Sequence, residues 1–377
     1  MATLFEPTLI NGMFLPNRFV RSATWEGLAA EDGSVSARLT KVMVDLARGG
    51  VGLIITGNAF VAARGQTVPR QLAAHDDRFV AGWREMVDAV HAAGGKIAMQ
   101  LVHGGCAAKP GLTGLEAVGP SAREDSDMRC REAGPDDIKS MIEDFTQAAL
   151  RAKSAGFDAV QLHAAHGYLL SQFLSPAFNK RTDNYGGSLE NRARLLMEVI
   201  KSLREAVGPA YPVLVKMNSE DFLENGLTRE EAVSLALMLE KGSVDAIEYS
   251  GGTLLSAENS LPPRPGYLKG LEDEVYYREA AELYKQRVKI PLMLVGGIRS
   301  HEVAQDLVSS GAADYISMSR PLICEPGLVN RWKSGDRRKA ECVSDNACFG
   351  PAMQGFGDFC ATMSKKRSKT PDMAVRE

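Results

Sequence analysis

Two imidazoles and a phenol fall close together in the run His163-Ala164-Ala165-His166-Gly167-Tyr168. Gathered at one opening, such groups act together. Imidazole N–H groups donate to a carbonyl oxygen that is gaining negative charge, and a phenol delivers a proton to carbon. A core histidine beside a packed tyrosine is the plainer reading of the same run. The H-x-x-H spacing invites zinc, but the run reads as strand end and loop with no third ligand in view, so no metal is expected. Lys216 ends another apolar segment, where a cation points into the opening rather than into solvent; a Schiff base with a carbonyl substrate, as in a lyase, is one chemistry available to it. Residues 179–192 read locally as a solvated loop and a helix start, with Ser188 as N-cap.

The elements that must position these groups follow a simple alternation. Apolar segments at 18–23, 51–57, 96–101, 157–163, 212–217, 244–249, 291–295 and 313–319 predict strands. Amphipathic segments at 37–48, 77–93, 136–155, 189–207, 229–241, 273–287, 301–309 and 327–334 predict helices. Glycines near several helix ends, among them Gly156 and Gly208, suit left-handed caps, and Thr228 with Glu231 forms a capping box. Nearly continuous apolar strands are buried on both faces, as in parallel sheets. The α/β pattern predicts a (β/α)8 TIM barrel, with a doubly wound open sheet as the competing architecture. Barrel enzymes place their chemistry at the strand C-termini. The long connections fall there, at 103–134, 164–187 and 250–271, the last holding Leu261-Pro262-Pro263-Arg264-Pro265-Gly266. The composition changes near the end, with three cysteines and the basic run Lys365-Lys366-Arg367. The chain therefore divides into a barrel, 1–340, and a short C-terminal extension, 341–377.

Composition limits the partners. Of 377 residues 45% are hydrophobic and 24% charged, the chemistry of a folded chain. Lys plus Arg number 44 against 47 Asp plus Glu, a net charge of -3, which gives no electrostatic ground for nucleic acid or an anionic membrane. Apolar runs such as 51–56 fall far short of the roughly 20 residues that span a bilayer, and the N-terminus shows no basic-then-apolar leader. Six cysteines in so long a chain make no disulfide framework. A soluble protein of the reducing cytoplasm is expected.

Several motifs then align in order. Asn17-Arg18 opens the first strand, Gln100-Leu101-Val102-His103 ends the third, His163 to Tyr168 follow the fourth, and Arg181-Thr182-Asp183-Asn184-Tyr185-Gly186-Gly187-Ser188 comes after them. Lys216 ends the fifth strand, Gly296-Gly297 the seventh and Ser319-Arg320 the eighth. Over residues 3–335 the chain resembles the old yellow enzyme family of NAD(P)H-dependent flavin oxidoreductases. The resemblance implies a barrel binding FMN non-covalently, NADH or NADPH as reductant, and a small-molecule enone whose C=C bond is reduced. It implies catalytic roles for His163, His166 and Tyr168. It implies cofactor contacts from Ala23, Thr24, Trp25, Asn58, Gln100, Lys216, Gly296, Gly297, Ser319 and Arg320, and assembly into a homo-oligomer. The paired glycines let backbone N–H groups approach phosphate oxygens, Arg320 supplies a fixed charge, Gln100 suits the flavin pyrimidine edge, and Lys216 places a cation near flavin N1 and O2.

The chain also departs from the family. Trp25 stands where many relatives carry Cys or Thr, and Cys106 where they carry Arg. The extension resembles that of 2,4-dienoyl-CoA reductase, where four cysteines hold an iron–sulfur cluster, but here Cys342, Cys348 and Cys360 are joined by Asp345; no cluster is expected. Amine dehydrogenation or demethylation, and a dienoyl-CoA-reductase-like reaction, are the alternatives within flavin chemistry. A non-catalytic flavin-binding or redox-sensing protein using Cys342, Cys348 and Cys360 is a further alternative, and the Schiff-base lyase using Lys216 is the alternative outside flavin chemistry.

Overall fold

The structure is a computed structural model that describes residues 2–124, 128–264, 268 and 270–369. Pro265 and Gly266 of the proline-rich loop, and the side chains of Lys366 and Arg367, lie outside the described residues. Eight parallel strands close into a barrel: β1 (Phe19–Arg21), β2 (Leu53–Phe60), β3 (Ile97–Val102), β4 (Ala159–Ala164), β5 (Val213–Asn218), β6 (Ala246–Ser250), β7 (Leu292–Val295) and β8 (Tyr315–Met318), each beside the next and β8 beside β1. The expected TIM barrel is thus the architecture. The outer helices are α1 (Ala37–Arg48), α2 (Val80–Ala92), α3 (Pro135–Ser154), α4 (Leu189–Val207), α5 (Arg229–Lys241), α6 (Arg278–Arg287), α7 (His301–Ser309) and α8 (Leu328–Lys333). Among the described residues no helix is long and apolar enough to cross a membrane.

Two apolar layers hold the barrel. Leu39, Met43, Trp83, Phe145, Leu196 and Leu235 pack helices onto the outer strand faces. Val20, Leu53, Ile55, Ala98, Leu214 and Met293 fill the lower interior, together with Ile10, Met13 and Leu15. Those three come from an unanticipated hairpin, Thr8–Ile10 with Met13–Leu15, which plugs the N-terminal end of the barrel. Its turn is Asn11-Gly12, both at positive φ (43° and 79°), a local signal for a tight hairpin. With the bottom sealed by apolar side chains, polar groups concentrate at the opposite, C-terminal mouth.

One pair of cysteines is bridged, short of a framework. Cys106 and Cys130, 24 residues apart, are joined by a disulfide. They lie in the long connection after β3, whose folding brings together residues that their spacing does not pair. Cys324, Cys342, Cys348 and Cys360 are free.

The extension docks against the mouth. Asp358 N–H donates to the Glu26 carbonyl (2.9 Å), Arg299 to the Cys342 carbonyl (2.7 Å), Arg320 to Asn346 Oδ1 (2.7 Å), and Arg38 to the Phe356 carbonyl. Gly27, at φ 64°, passes so close that a Cβ there would lie 2.7 Å from the Ala352 carbonyl oxygen. Beneath this contact Arg21 pairs with Glu26 (2.9 Å) and lies 3.8 Å from Asp358, the three side chains being 2%, 4% and 5% exposed. One cation thus serves two buried acids. Burial, then repulsion from Glu26, pushes the Asp358 carboxyl well above the usual range, and burial raises Glu26 as well.

The sign of the pH effect follows. A carboxyl whose pKa rises on folding holds a proton that the unfolded chain releases above about pH 4, so stability falls as pH climbs from there toward the folded pKa. Asp358→Asn removes the second acid while keeping its shape. The variant is expected to melt at or above the wild-type temperature at pH 8, with a shallower loss of stability between pH 5 and pH 8; a lower melting temperature at pH 8 contradicts this account.

Candidate active site

The barrel mouth opens into a cavity of about 230 Å³. Every site residue anticipated from the sequence lines it: Ala23, Thr24, Trp25, Asn58, Gln100, His163, His166, Tyr168, Lys216, Gly296, Gly297, Ser319 and Arg320. These residues come from segments spread over the chain, and the barrel register sets them side by side. Asn58 faces Gln100 across β2–β3, His163 faces Lys216 across β4–β5, and Lys216 faces Glu248 across β5–β6.

The imidazole pair stands at the end of β4. The His163 and His166 rings are 5.1 Å apart and perpendicular, and the Tyr168 ring lies 5.0 Å from His163. His166 adopts φ 64°, a left-handed conformation that costs a non-glycine residue about 1–2 kcal/mol. The turn is held by its N–H donating to Asn218 Oδ1 (3.1 Å) and by Nε2 against Ser250 Oγ (2.7 Å). Burial lowers both histidine pKa values well below 6.5, helped at His163 by the Lys216 charge and at His166 by His163 and Lys216. Both rings are therefore neutral at pH 7. His163 Nδ1 is buried with no hydrogen-bond partner, a polar atom for a ligand to satisfy. Tyr168 leads into the short helix Leu169–Leu174, anchored by Leu169 N–H on the His103 carbonyl (2.9 Å) and by Gln172 on the Gly104 and Gly167 carbonyls. Burial keeps its phenol protonated, with the pKa raised above 10.

Opposite lies a polar floor. Lys216 Nζ donates to Ser22 Oγ (2.7 Å) and sits 3.4 Å from Glu248 Oε2. Burial lowers the Lys216 pKa, opposed by the Glu248 charge. Burial works against the Glu248 carboxylate too, yet the Lys216 charge and hydrogen bonds from Ser317 and Gln161 hold its pKa below the usual value. The ammonium is thus paired, which disfavours the free amine a Schiff-base lysine needs.

The far wall carries the strand ends β7 and β8. Gly296 (φ 127°) and Gly297 (φ 78°) line it, and a Cβ on either would strike Tyr277 at 2.9 Å or Tyr276 at 2.7 Å. Thr24 Oγ1 meets Ser319 Oγ at 2.7 Å, so β1 and β8 close around the cavity. Arg320 lines it while its Nη1 also holds the Arg264 carbonyl (2.9 Å). Trp25 contributes an indole whose Nε1 is buried without a partner. The donor set fits FMN: backbone N–H groups at paired glycines and an arginine for a phosphate, an amide and a cation for a pyrimidine edge, and apolar walls for a flat ring.

Sequence reasoning missed several wall residues. Ser250, Tyr276, Tyr277 and Arg299 line the cavity, as do Ser344, Cys348, Phe349, Ala352 and Asp358 of the extension. The extension is therefore one wall of the site. The unusual length of the loops after β6 was the available signal for Arg264; nothing in the extension's composition marked its place. Asp345, at the position of a missing cysteine, accepts from Ala347 N–H and Thr362 Oγ1. Cys324, from the segment after β8, lies beside Cys360 and Cys342, a grouping the sequence did not suggest. Burial raises the Cys348 thiol to about 11. Among the described residues no group of three or more His, Cys, Asp or Glu side chains is arranged to hold a metal ion.

Known proteins resemble this chain in sequence and fold. Residues 3–339 match the profile of the NADH:flavin oxidoreductase / NADH oxidase family. The chain is 40% identical to the NADH oxidase of Thermoanaerobacter brockii over 92% of its own length and 53% of that protein's, so it spans about half of it. It is 33% identical to the cinnamate reductase of Clostridium sporogenes, covering 99% of this chain and 59% of that one. The solved structure of morphinone reductase in complex with tetrahydroNAD superposes with a TM-score of 0.74 at 30% identity, over 89% of this chain and 92% of that one. The cofactor of such enzymes is FMN and the reductant a nicotinamide. The chain belongs to the NADH:flavin oxidoreductase / NADH oxidase family, of the old yellow enzyme type.

Proposed function

We propose that this protein reduces the C=C bond of α,β-unsaturated carbonyl compounds with electrons from NADH or NADPH. The carrying observation is the neutral pair His163 and His166 with Tyr168 against it, all facing one cavity beside Lys216. Two relatives named cinnamate reductase and morphinone reductase support that class. Ala23, Thr24, Trp25, Asn58, Gln100, Lys216, Gly296, Gly297, Ser319 and Arg320 would hold FMN. When bound, FMN supplies the hydride it has accepted from the nicotinamide.

The chain's own residues do the rest. His163 and His166 bind the substrate carbonyl oxygen through N–H groups and draw electron density from the double bond as charge develops there. Their neutrality matters, because a neutral donor stabilises a developing oxyanion without being consumed as an acid. Tyr168 protonates Cα. Its pKa is high, but the enolate-like carbon is strongly basic, so the transfer runs downhill. The 1–340 barrel carries the chemistry, and residues 344–358 of the 341–377 extension line the wall beside it. Met353, Phe356 and Phe359 of the extension are exposed by 57%, 60% and 42%, apolar surface that a neighbouring copy in a homo-oligomer would cover.

Tyr168→Phe is expected to slow alkene reduction by about 10²-fold or more while leaving anaerobic reduction of the bound flavin by NAD(P)H near its wild-type rate. Stopped-flow measurement of the two half-reactions checks it, and equal slowing of both removes Tyr168 from the role.

The pH profile is a second test. With both histidines far below 6.5 and Tyr168 above 10, none of the three titrates between about pH 6 and pH 8. The alkene-reduction step should show no inflection in that interval; a break near 6.5 that disappears in His163→Asn or His166→Asn places a charged imidazole in the reaction instead.

A further inference from the structure

Glu248 has no part in the site read from the sequence, yet it is fully buried under the cavity floor. A carboxylate accepts hydrogen bonds and donates none. Ser317 Oγ donates to its Oε1 (2.6 Å), Gln161 Nε2 to its Oε2 (2.9 Å), and Lys216 Nζ stands 3.4 Å away. This fixes the amide of Gln161, whose NH2 must face Glu248. Its carbonyl oxygen then accepts from Gln100 Nε2 at 2.7 Å. Gln100 is in turn fixed, with its NH2 turned to Gln161 and its carbonyl oxygen left for the cavity that it lines. Gln100 lies opposite Gln161 on the adjacent strands β3 and β4, and Lys216 opposite Glu248 on the adjacent strands β5 and β6; the Gln161–Glu248 bond reaches past β5 inside the barrel and joins the two pairs.

We propose that Glu248, acting through Gln161, is a positioning residue that sets the polarity of the cavity floor: it turns the Gln100 carbonyl toward the ligand as an acceptor and holds the Lys216 ammonium beside it as a donor. An acceptor next to a cationic donor complements an imide edge, which offers an N–H flanked by carbonyl oxygens. Flavin N3–H with its neighbouring O2 is such an edge. The inference rests on the reading that FMN occupies the cavity, and adds which residues choose the orientation of its contacts. Without the carboxylate, either amide could reverse, and Gln100 would present a donor to a donor.

The test uses apoprotein titrated with FMN labelled with 15N at N3, in wild type, Glu248→Gln and Gln161→Met. The N3 proton should be held and slow to exchange in the wild type. In both variants it should exchange faster, and FMN should bind about tenfold more weakly, the scale of losing one hydrogen bond in a buried site. Gln161→Met introduces no charge and nearly preserves volume, so it decides the matter alone if Glu248→Gln does not fold. An N3 proton as protected in the variants as in the wild type overturns the proposal. So does weaker binding with unchanged N3 protection, which marks a packing effect. If the wild type itself binds no FMN, the reading of the cavity fails together with the proposal. If it binds FMN and the variants keep wild-type protection, only the relay from Glu248 fails.

Discussion

A carboxylate and an ammonium facing each other inside the barrel, Glu248 and Lys216, are the constraint on which the site depends. Neither is sustainable there alone. Leaving one charge of such a pair buried without its partner costs about 3–5 kcal/mol. The pair persists because the strand register places the two opposite each other and because Ser22, Ser317 and Gln161 satisfy the remaining polar atoms. Once the pair is set, much of the mouth follows. The Lys216 charge helps keep His163 and His166 neutral, and the carboxylate fixes the direction of the amides that reach Gln100.

The barrel separates these tasks by depth. Apolar residues of the lower interior and the N-terminal hairpin exclude water from one end, so charged groups at the other end sit above a low-dielectric floor, where electrostatic interactions are strong. The left-handed turn at His166 spends backbone energy to aim an imidazole, and Asn218 and Ser250 hold it there. Stability and reactivity are thus divided between the two ends of the same eight strands.

The extension shows how far a segment can be reassigned by its contacts. Arg38, Arg299 and Arg320 each donate to its backbone or side chains, and Asp358 reaches the Arg21–Glu26 pair. Asp345 ties Thr362 and Ala347, while Cys348 and Asp358 face the cavity.

The sequence by itself determined the alternation of strands and helices, and several boundaries to the residue. α1, α4 and α5 start where Ser36, Ser188 and Thr228 cap them, and capping is a local interaction. The sixth helix was read too long because residues before Arg278 are drawn away: the Glu274 carboxylate accepts from Arg299 N–H and Ser300 N–H, and Val275 takes φ 66°. His163, His166, Tyr168 and Lys216 were legible because their types at strand ends already imply chemistry, and because a family pattern surrounds them. The Cys106–Cys130 disulfide, the wall built by residues 344–358 and the role of Glu248 were not legible. Each depends on which residues meet across strands or over the mouth. Pairing of that kind is set by barrel closure and register, which join residues tens to hundreds of positions apart, and a linear pattern carries no record of it.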